Sequence, residues 1–163
     1  MLTQQRLKDV LTYDQTTGRF TWLVAPNGRI HVGQIAGNLN PYGYIQIKID
    51  RVLYRAHRLA WLYMTGRWPS QHIDHRNRVR HDNVWLNLRD TSRTFNNQNL
   101  GEAKSGNQST GLLGVSQRNK GAGFQARITA DGEKKWLGTF PTAELAHAAY
   151  VQAKRALHPG NML

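Results

Sequence analysis

The chain has 163 residues, 39% of them hydrophobic, which is enough for one medium domain or two small ones. Lys and Arg number 22 against 10 Asp and Glu, and the net charge of +12, interleaved with Trp, Tyr, Asn and Gln, favours a nucleic acid as partner through counterion release. The absence of cysteine excludes disulfides, thiol catalysis and cysteine-based zinc sites, and no apolar run is long enough for a signal peptide or membrane span, so a cytoplasmic location with no membrane partner is expected.

Residues 1–56 open with a short helix, capped by Thr3, whose apolar stripe is Leu7, Val10 and Leu11. Tyr13 to Trp22 reads as a turn around Gly18 followed by a strand. From Gly43 to Ile49 the pattern alternates, with Ile45, Ile47 and Ile49 on one side and Tyr44, Gln46 and Lys48 on the other. Asp50-Arg51 then turns the chain into Val52-Leu53-Tyr54. His57 to Thr65 reads as a helix with Leu59, Leu62 and Tyr63 on one side, Gly66 as its C-cap and Pro69 as a stop. His72-Ile73-Asp74-His75 reads as a short strand, and after a polar loop Val84 to Leu88 reads as a second. Thr91 or Ser92 caps a helix through Phe95 and Asn96. Trp22, Trp61, Trp68 and Trp85 are assigned to the core.

Residues 101–109 have linker composition. Beyond them the pattern predicts strands near 114–118, 124–129 and 134–140, with Asp131-Gly132 as a hairpin turn. Thr142 caps a helix on which Ala143, Ala146, Ala149, Tyr150 and Ala153 recur at helical spacing, a stripe of mostly small residues suited to close packing on a sheet. Strand parity puts Phe124, Ala126 and Ile128 toward that helix. Gln125, Arg127 and Thr129 then face outward, where Ser116, Arg118, Lys134 and Trp136 complete a polar, basic surface able to meet a DNA groove.

The chemistry concentrates at Asp74-His75. Phosphodiester hydrolysis needs a base for water, a cation for the phosphate and oxygen ligands for that cation. Asp74 offers a hard carboxylate oxygen suited to magnesium or manganese, and His75 is a natural general base near neutral pH. Neighbouring strand residues point to opposite faces, so the two share a site only if the strand bends or ends there. Asn87 offers a carbonyl oxygen to orient the imidazole, and Asn96 a second oxygen for the cation. Arg58, Arg76, Arg78 and Arg80 are candidate phosphate contacts, whereas His57 is assigned a structural role at the start of its helix.

The elements Tyr54-Arg55-Ala56-His57-Arg58-Leu59-Ala60-Trp61, Trp68-Pro69, Ile73-Asp74-His75, Asp82-Asn83, Asn87-Leu88-Arg89, Thr91 and Asn96-Asn97 resemble the HNH endonucleases of phage and mobile-element type. The resemblance covers about residues 40–100. It implies a ββα-metal fold, His75 as general base, Asn87 as the residue fixing it, and Asp74 and Asn96 as ligands of one divalent cation, Mg2+ or Mn2+. It further implies cleavage of double-stranded DNA to a 5′-phosphate and a 3′-hydroxyl, in a bacterial or phage-infected cell. Arg78 stands where the family usually has a turn glycine. Leu86 stands where a charged residue is common.

The segments Gly114-Val115, Phe124 to Ile128, Trp136-Leu137-Gly138-Thr139-Phe140 and Ala143 to Tyr150 resemble the AP/ERF-type DNA-binding domain, over about residues 109–158. That resemblance implies a three-stranded antiparallel sheet packed on one helix and laid in the major groove. The expected organisation is an α+β protein: an HNH domain with a β-rich N-terminal extension over 1–100, a linker over 101–109, and an AP/ERF-type domain over 110–163. A monomer or weak dimer is expected. Two other readings are a non-catalytic DNA-binding regulator with a degenerate HNH fold, and a binder of structured RNA.

Overall fold

The computed structural model describes residues 1–100, 110–118 and 122–158, with the side chains of residues 93 and 94 left aside. The expected linker 101–109 lies outside these residues. The architecture is mixed α+β, and the chain divides into two compact units, Met1–Arg93 and Thr94–Leu163.

In the first unit, α1 (Gln4–Val10) starts where the Thr3 hydroxyl accepts the Arg6 N–H at 3.2 Å. The chain continues directly into β1 (Leu11–Asp14), which pairs antiparallel with β2 (Arg19–Trp22). The sequence pattern predicts a turn and a single strand. The structure completes a hairpin because Leu11 and Tyr13 supply a buried face before the turn as well. Asp14 organises that turn by accepting the Thr16 N–H at 2.8 Å.

Strands β3 (Asn38–Leu39), β4 (Ile45–Ile49) and β5 (Val52–Arg55) form an antiparallel sheet in that order. Ile47 and Ile49 are buried while Lys48 is exposed, as the alternation predicts. Asp50 and Arg51 both take left-handed φ, 47° and 69°, which matches the right-handed twist of the strands they join. Helix α2 (Ala56–Thr65) buries Leu59 and Leu62 in the same core as Leu7, Val10, Phe20 and Trp22. It ends at Gly66, φ 75°, whose N–H returns to the Leu62 carbonyl at 3.0 Å. Trp61 and Trp68 pack against this core, and Trp85 meets Trp61 in a tilted contact with ring centroids 5.1 Å apart.

Strand β6 (His72–His75) pairs antiparallel with β7 (Leu88–Thr91) in the register His72↔Thr91 to His75↔Leu88. The strand expected over 84–88 is corrected. Trp85–Asn87 forms one turn of 3₁₀ helix, and the strand begins only at Leu88. Leu86 explains the shift. It is 83% exposed, so 84–88 has no continuous buried face to lay on a partner.

In the second unit, α3 (Arg93–Gln98) opens one residue after β7. Strands β8 (Val115–Gln117), β9 (Phe124–Ala130) and β10 (Glu133–Phe140) form an antiparallel sheet with β9 in the middle. Asp131 and Gly132, at φ 55° and 83°, make the β9–β10 turn. The Thr142 hydroxyl caps α4 (Ala143–Leu157) by accepting the Leu145 N–H at 3.3 Å. Ala126 and Ala146 are fully buried between sheet and helix, and Gly114 comes so close to the Tyr150 ring that a Cβ there would overlap it. Lys154, one turn beyond Tyr150, is buried too, with Nζ bonded to the Leu100 carbonyl and 5.9 Å from the Tyr150 ring centroid.

Candidate active site

Strand β6 carries Asp74 and His75 on consecutive residues, yet both are buried, at 6% and 4% exposure. His75 is the last residue of the strand, the place where alternation between faces stops being enforced. Asp74 lies opposite Arg89 on β7, and its Oδ2 accepts from the guanidinium Nη2 at 2.6 Å and Nε at 2.9 Å. The pair is desolvated and charge-assisted on both bonds.

The His75 imidazole meets Asn83, His57 and Tyr44. Its Nε2 is 3.3 Å from Asn83 Oδ1, its ring lies edge-to-face on His57 at 5.0 Å, and Tyr44 stands 6.2 Å away. Asn83 also donates from Nδ2 to the His81 carbonyl at 3.2 Å. A carbonyl can only accept, so that bond fixes the amide orientation and turns Oδ1 toward the ring. Nε2 is therefore the protonated nitrogen, and the lone pair of neutral His75 resides on Nδ1. Burial pushes the His75 pKa down, partly opposed by Asn83, Asp74 and Asp82. The result is an imidazole that is neutral at physiological pH. His57 is driven further, to about 3, first by burial and then by His75, Arg55 and Arg58.

Asn87 does not reach the imidazole. Its Oδ1 accepts the Asn77 N–H at 2.9 Å, its Nδ2 donates to the Asp82 carbonyl at 2.8 Å, and its own carbonyl accepts the Arg76 N–H at 2.9 Å. It therefore ties down the loop that follows His75, and the ring contact expected of it falls to Asn83. Arg78 takes the left-handed conformation at φ 65°, so the loop keeps a backbone suited to glycine without one.

Arg76, Arg78 and Arg80 are all exposed. Arg80 is also anchored, with Nη1 on the Tyr42 carbonyl at 2.9 Å and its guanidinium 5.4 Å from the Tyr44 ring centroid. Arg58 is half-buried, bonded to the Gln71 carbonyl at 3.3 Å and set over Trp68. Asn96 is half-buried on α3, in the second unit, and its carbonyl accepts the Asn99 N–H at 3.1 Å.

The second unit's candidate residues gather on one sheet face. Ser116 lies opposite Gln125, Arg127 opposite Trp136, and Thr129 opposite Lys134. Arg118 follows directly on β8. Trp136 is 65% exposed, which places it on the outer face and out of the core. Arg127 donates to Gln125 Oε1 at 2.8 Å, so the two act as one polar unit.

Two contacts at the site had no role in the sequence reading. Asn83 and Arg89 stood inside the spaced motif, but their partners depend on loop closure and strand register, which residue spacing does not encode. Among the described residues, no group of three or more His, Cys, Asp and Glu could hold a metal ion.

Residues 54–98 match the model of a family described as HNH endonuclease. The match spans β5 to α3 and supports membership of the broad HNH endonuclease family, with nuclease-related function and nucleic-acid interaction in general. No curated protein and no solved structure matches the chain. Among the described residues, no helix is long and apolar enough to cross a membrane.

Proposed function

We propose that this chain is a metal-dependent endonuclease that hydrolyses phosphodiester bonds in double-stranded DNA, an HNH enzyme of homing or phage-encoded type. In this reading residues 1–100 form a ββα-metal nuclease domain, 101–109 a linker, and 110–163 an AP/ERF-type domain that selects the target. The observation carrying the proposal is the buried Asp74-His75 pair at the end of β6, inside the region of the family match.

His75, neutral near pH 7, takes a proton from water at Nδ1. Asn83 accepts the Nε2 proton and keeps the ring in that tautomer. Asn87 keeps the following loop closed, so that Arg76, Arg78 and Arg80 present positive charge to the DNA backbone. In this reading Asp74 would hold a hard cation by a carboxylate oxygen and Asn96 by an amide oxygen, and the chain has no cysteine to favour a softer metal. Asp74 would hold the cation while its Oδ2 stays paired with Arg89. Bound Mg2+ or Mn2+ supplies neutralisation of the charge that develops on the phosphate and leaving oxygen.

The test is supercoiled plasmid incubated with Mg2+ or Mn2+, with and without chelator. The proposal expects chelator-sensitive nicking that His75→Ala abolishes while DNA binding persists. The Asp74–Arg89 ion pair favours one other reading, a DNA-binding regulator with a degenerate HNH fold, because it already neutralises the carboxylate. A mobility shift without strand breaks at any metal concentration decides for the regulator.

A further inference from the structure

We propose that Asn83, set in place by the N-terminal β1–β2 hairpin, is a positioning residue for the His75 imidazole. The inference rests on the nuclease reading for its catalytic consequence, but the geometry stands without it.

Asn83 is 3% exposed and held at every polar atom that bears on the ring. Its side chain bridges His75 Nε2 and the His81 carbonyl. Its own carbonyl accepts the Tyr13 hydroxyl at 2.6 Å. Burial pushes the Tyr13 phenol pKa up, so the hydroxyl keeps its proton and stays a donor. Gly18, at φ 70°, lays its backbone on the same peptide, where a Cβ would overlap the Asn83 carbonyl carbon and the Val84 nitrogen. On the far side the Trp85 N–H donates to the Gln15 carbonyl at 3.0 Å. Three residues of the hairpin, Tyr13, Gln15 and Gly18, thus hold the segment 83–85 from both sides of the amide.

The two aromatic neighbours set only part of the ring's orientation. His57 and Tyr44 pack on its faces and edge, which fixes the plane. Packing cannot choose between the two ring nitrogens, because a flipped imidazole has nearly the same shape. A hydrogen-bond partner on one ring nitrogen makes that choice. Asn83 Oδ1 is such a partner for Nε2, and the hairpin is the reason it is there.

The test uses the full chain with labelled histidine at about pH 8, where ring nitrogen shifts report the tautomer of neutral His75, alongside single-turnover cleavage and DNA affinity. In the wild type the proton should sit on Nε2. In Asn83→Ala the Nε2-H population should fall toward a mixture. The cleavage rate should drop about 10–100-fold, the scale of losing an orienting partner, with DNA affinity changed less than about twofold. Asn83→Asp keeps the acceptor and should keep the wild-type tautomer. Tyr13→Phe, close to isosteric, should remain folded and lie between wild type and Asn83→Ala in both readouts. An Asn83→Ala protein that is folded and retains the wild-type tautomer and rate overturns the proposal. If the wild type itself leaves DNA intact, the nuclease reading falls, and the tautomer comparison still decides whether Asn83 sets the ring.

Discussion

Asp74 and Arg89 face each other across the β6–β7 hairpin, and one carboxylate oxygen receives both guanidinium bonds, at 2.6 and 2.9 Å. The two side chains are 8% and 14% exposed, so neither charge can fall back on water if the other is removed. Arg89→Ala should destabilise the first unit by about 3 kcal/mol, the cost of breaking a buried ion pair by removing one member. The double variant Asp74→Ala/Arg89→Ala should lose clearly less than the two single losses together. Urea midpoints of the four proteins give the coupling, and additive losses would show that the pair does not act as a pair.

The buried His57 ring makes stability depend on pH. In the unfolded chain a histidine takes up its proton near 6.5, whereas folded His57 does so only near 3. Between these values the unfolded state binds more protons, so stability rises with pH and is lost as the solution is acidified through that window. The slope from this group is about 1.4 kcal/mol per pH unit at most. His75, shifted in the same direction, adds to it. His57→Gln should flatten the curve below about pH 6.5, read from denaturation midpoints at several pH values.

Two glycines of the first unit separate backbone strain from crowding. Gly33 and Gly18 both have positive φ, 85° and 70°, but a Cβ on Gly33 meets nothing within 4 Å, while one on Gly18 overlaps the Asn83–Val84 peptide. Gly33→Ala should cost about 1 kcal/mol from conformation alone. Gly18→Ala should cost more than twice as much and displace Asn83. Equal losses in thermal melts would mean that the hairpin does not brace that peptide.

The outer face of the β8–β9–β10 sheet offers a test that leaves folding intact. Arg127 and Trp136 are exposed neighbours across β9 and β10. Alanine at either position should change stability by less than about 0.5 kcal/mol. Arg127→Ala should weaken binding to the preferred duplex by about 1–3 kcal/mol and relax sequence preference, whereas Lys134→Ala should weaken all duplexes alike and lower the salt slope by about one. Fluorescence anisotropy against matched and scrambled duplexes separates these outcomes. Unchanged affinity in all three variants would remove this face from the DNA-binding reading.

Local signals in the sequence carried much of the fold. Thr3 and Thr142 cap helices because a hydroxyl before an apolar run has backbone N–H groups to accept. The Asp131-Gly132 turn and the Ile45-Ile47-Ile49 stripe are legible because turn chemistry and period-two burial are written in adjacent residues. The site was legible as Asp74-His75 but not in its wiring. Asn87 was the reasonable choice to hold the imidazole, being an amide on the partner segment. The reversal of roles between Asn83 and Asn87 follows from how the 76–82 loop folds. That loop closes through side-chain bonds to backbone, such as Asn77 N–H to Asn87, which leave no periodic trace. Arg89 could be assigned to Asp74 only once the register of β6 on β7 was known, and the 3₁₀ turn at Trp85–Asn87 sets that register. Lys154 is charged, yet it stands four residues beyond Tyr150 on the face that packs inward.

The Tyr13–Asn83 hydrogen bond joins residues 70 positions apart. Contacts of such separation form late, because the intervening chain must first surrender its entropy. During synthesis the β1–β2 hairpin leaves the ribosome long before the peptide it braces, and His75 itself emerges before Asn83 does. A growing chain can therefore carry both members of the Asp74-His75 pair without an oriented imidazole. The bond that holds the imidazole waits for Asn83. A nascent chain, or one that stops short of that residue, carries His75 before the partner of its Nε2 has been made.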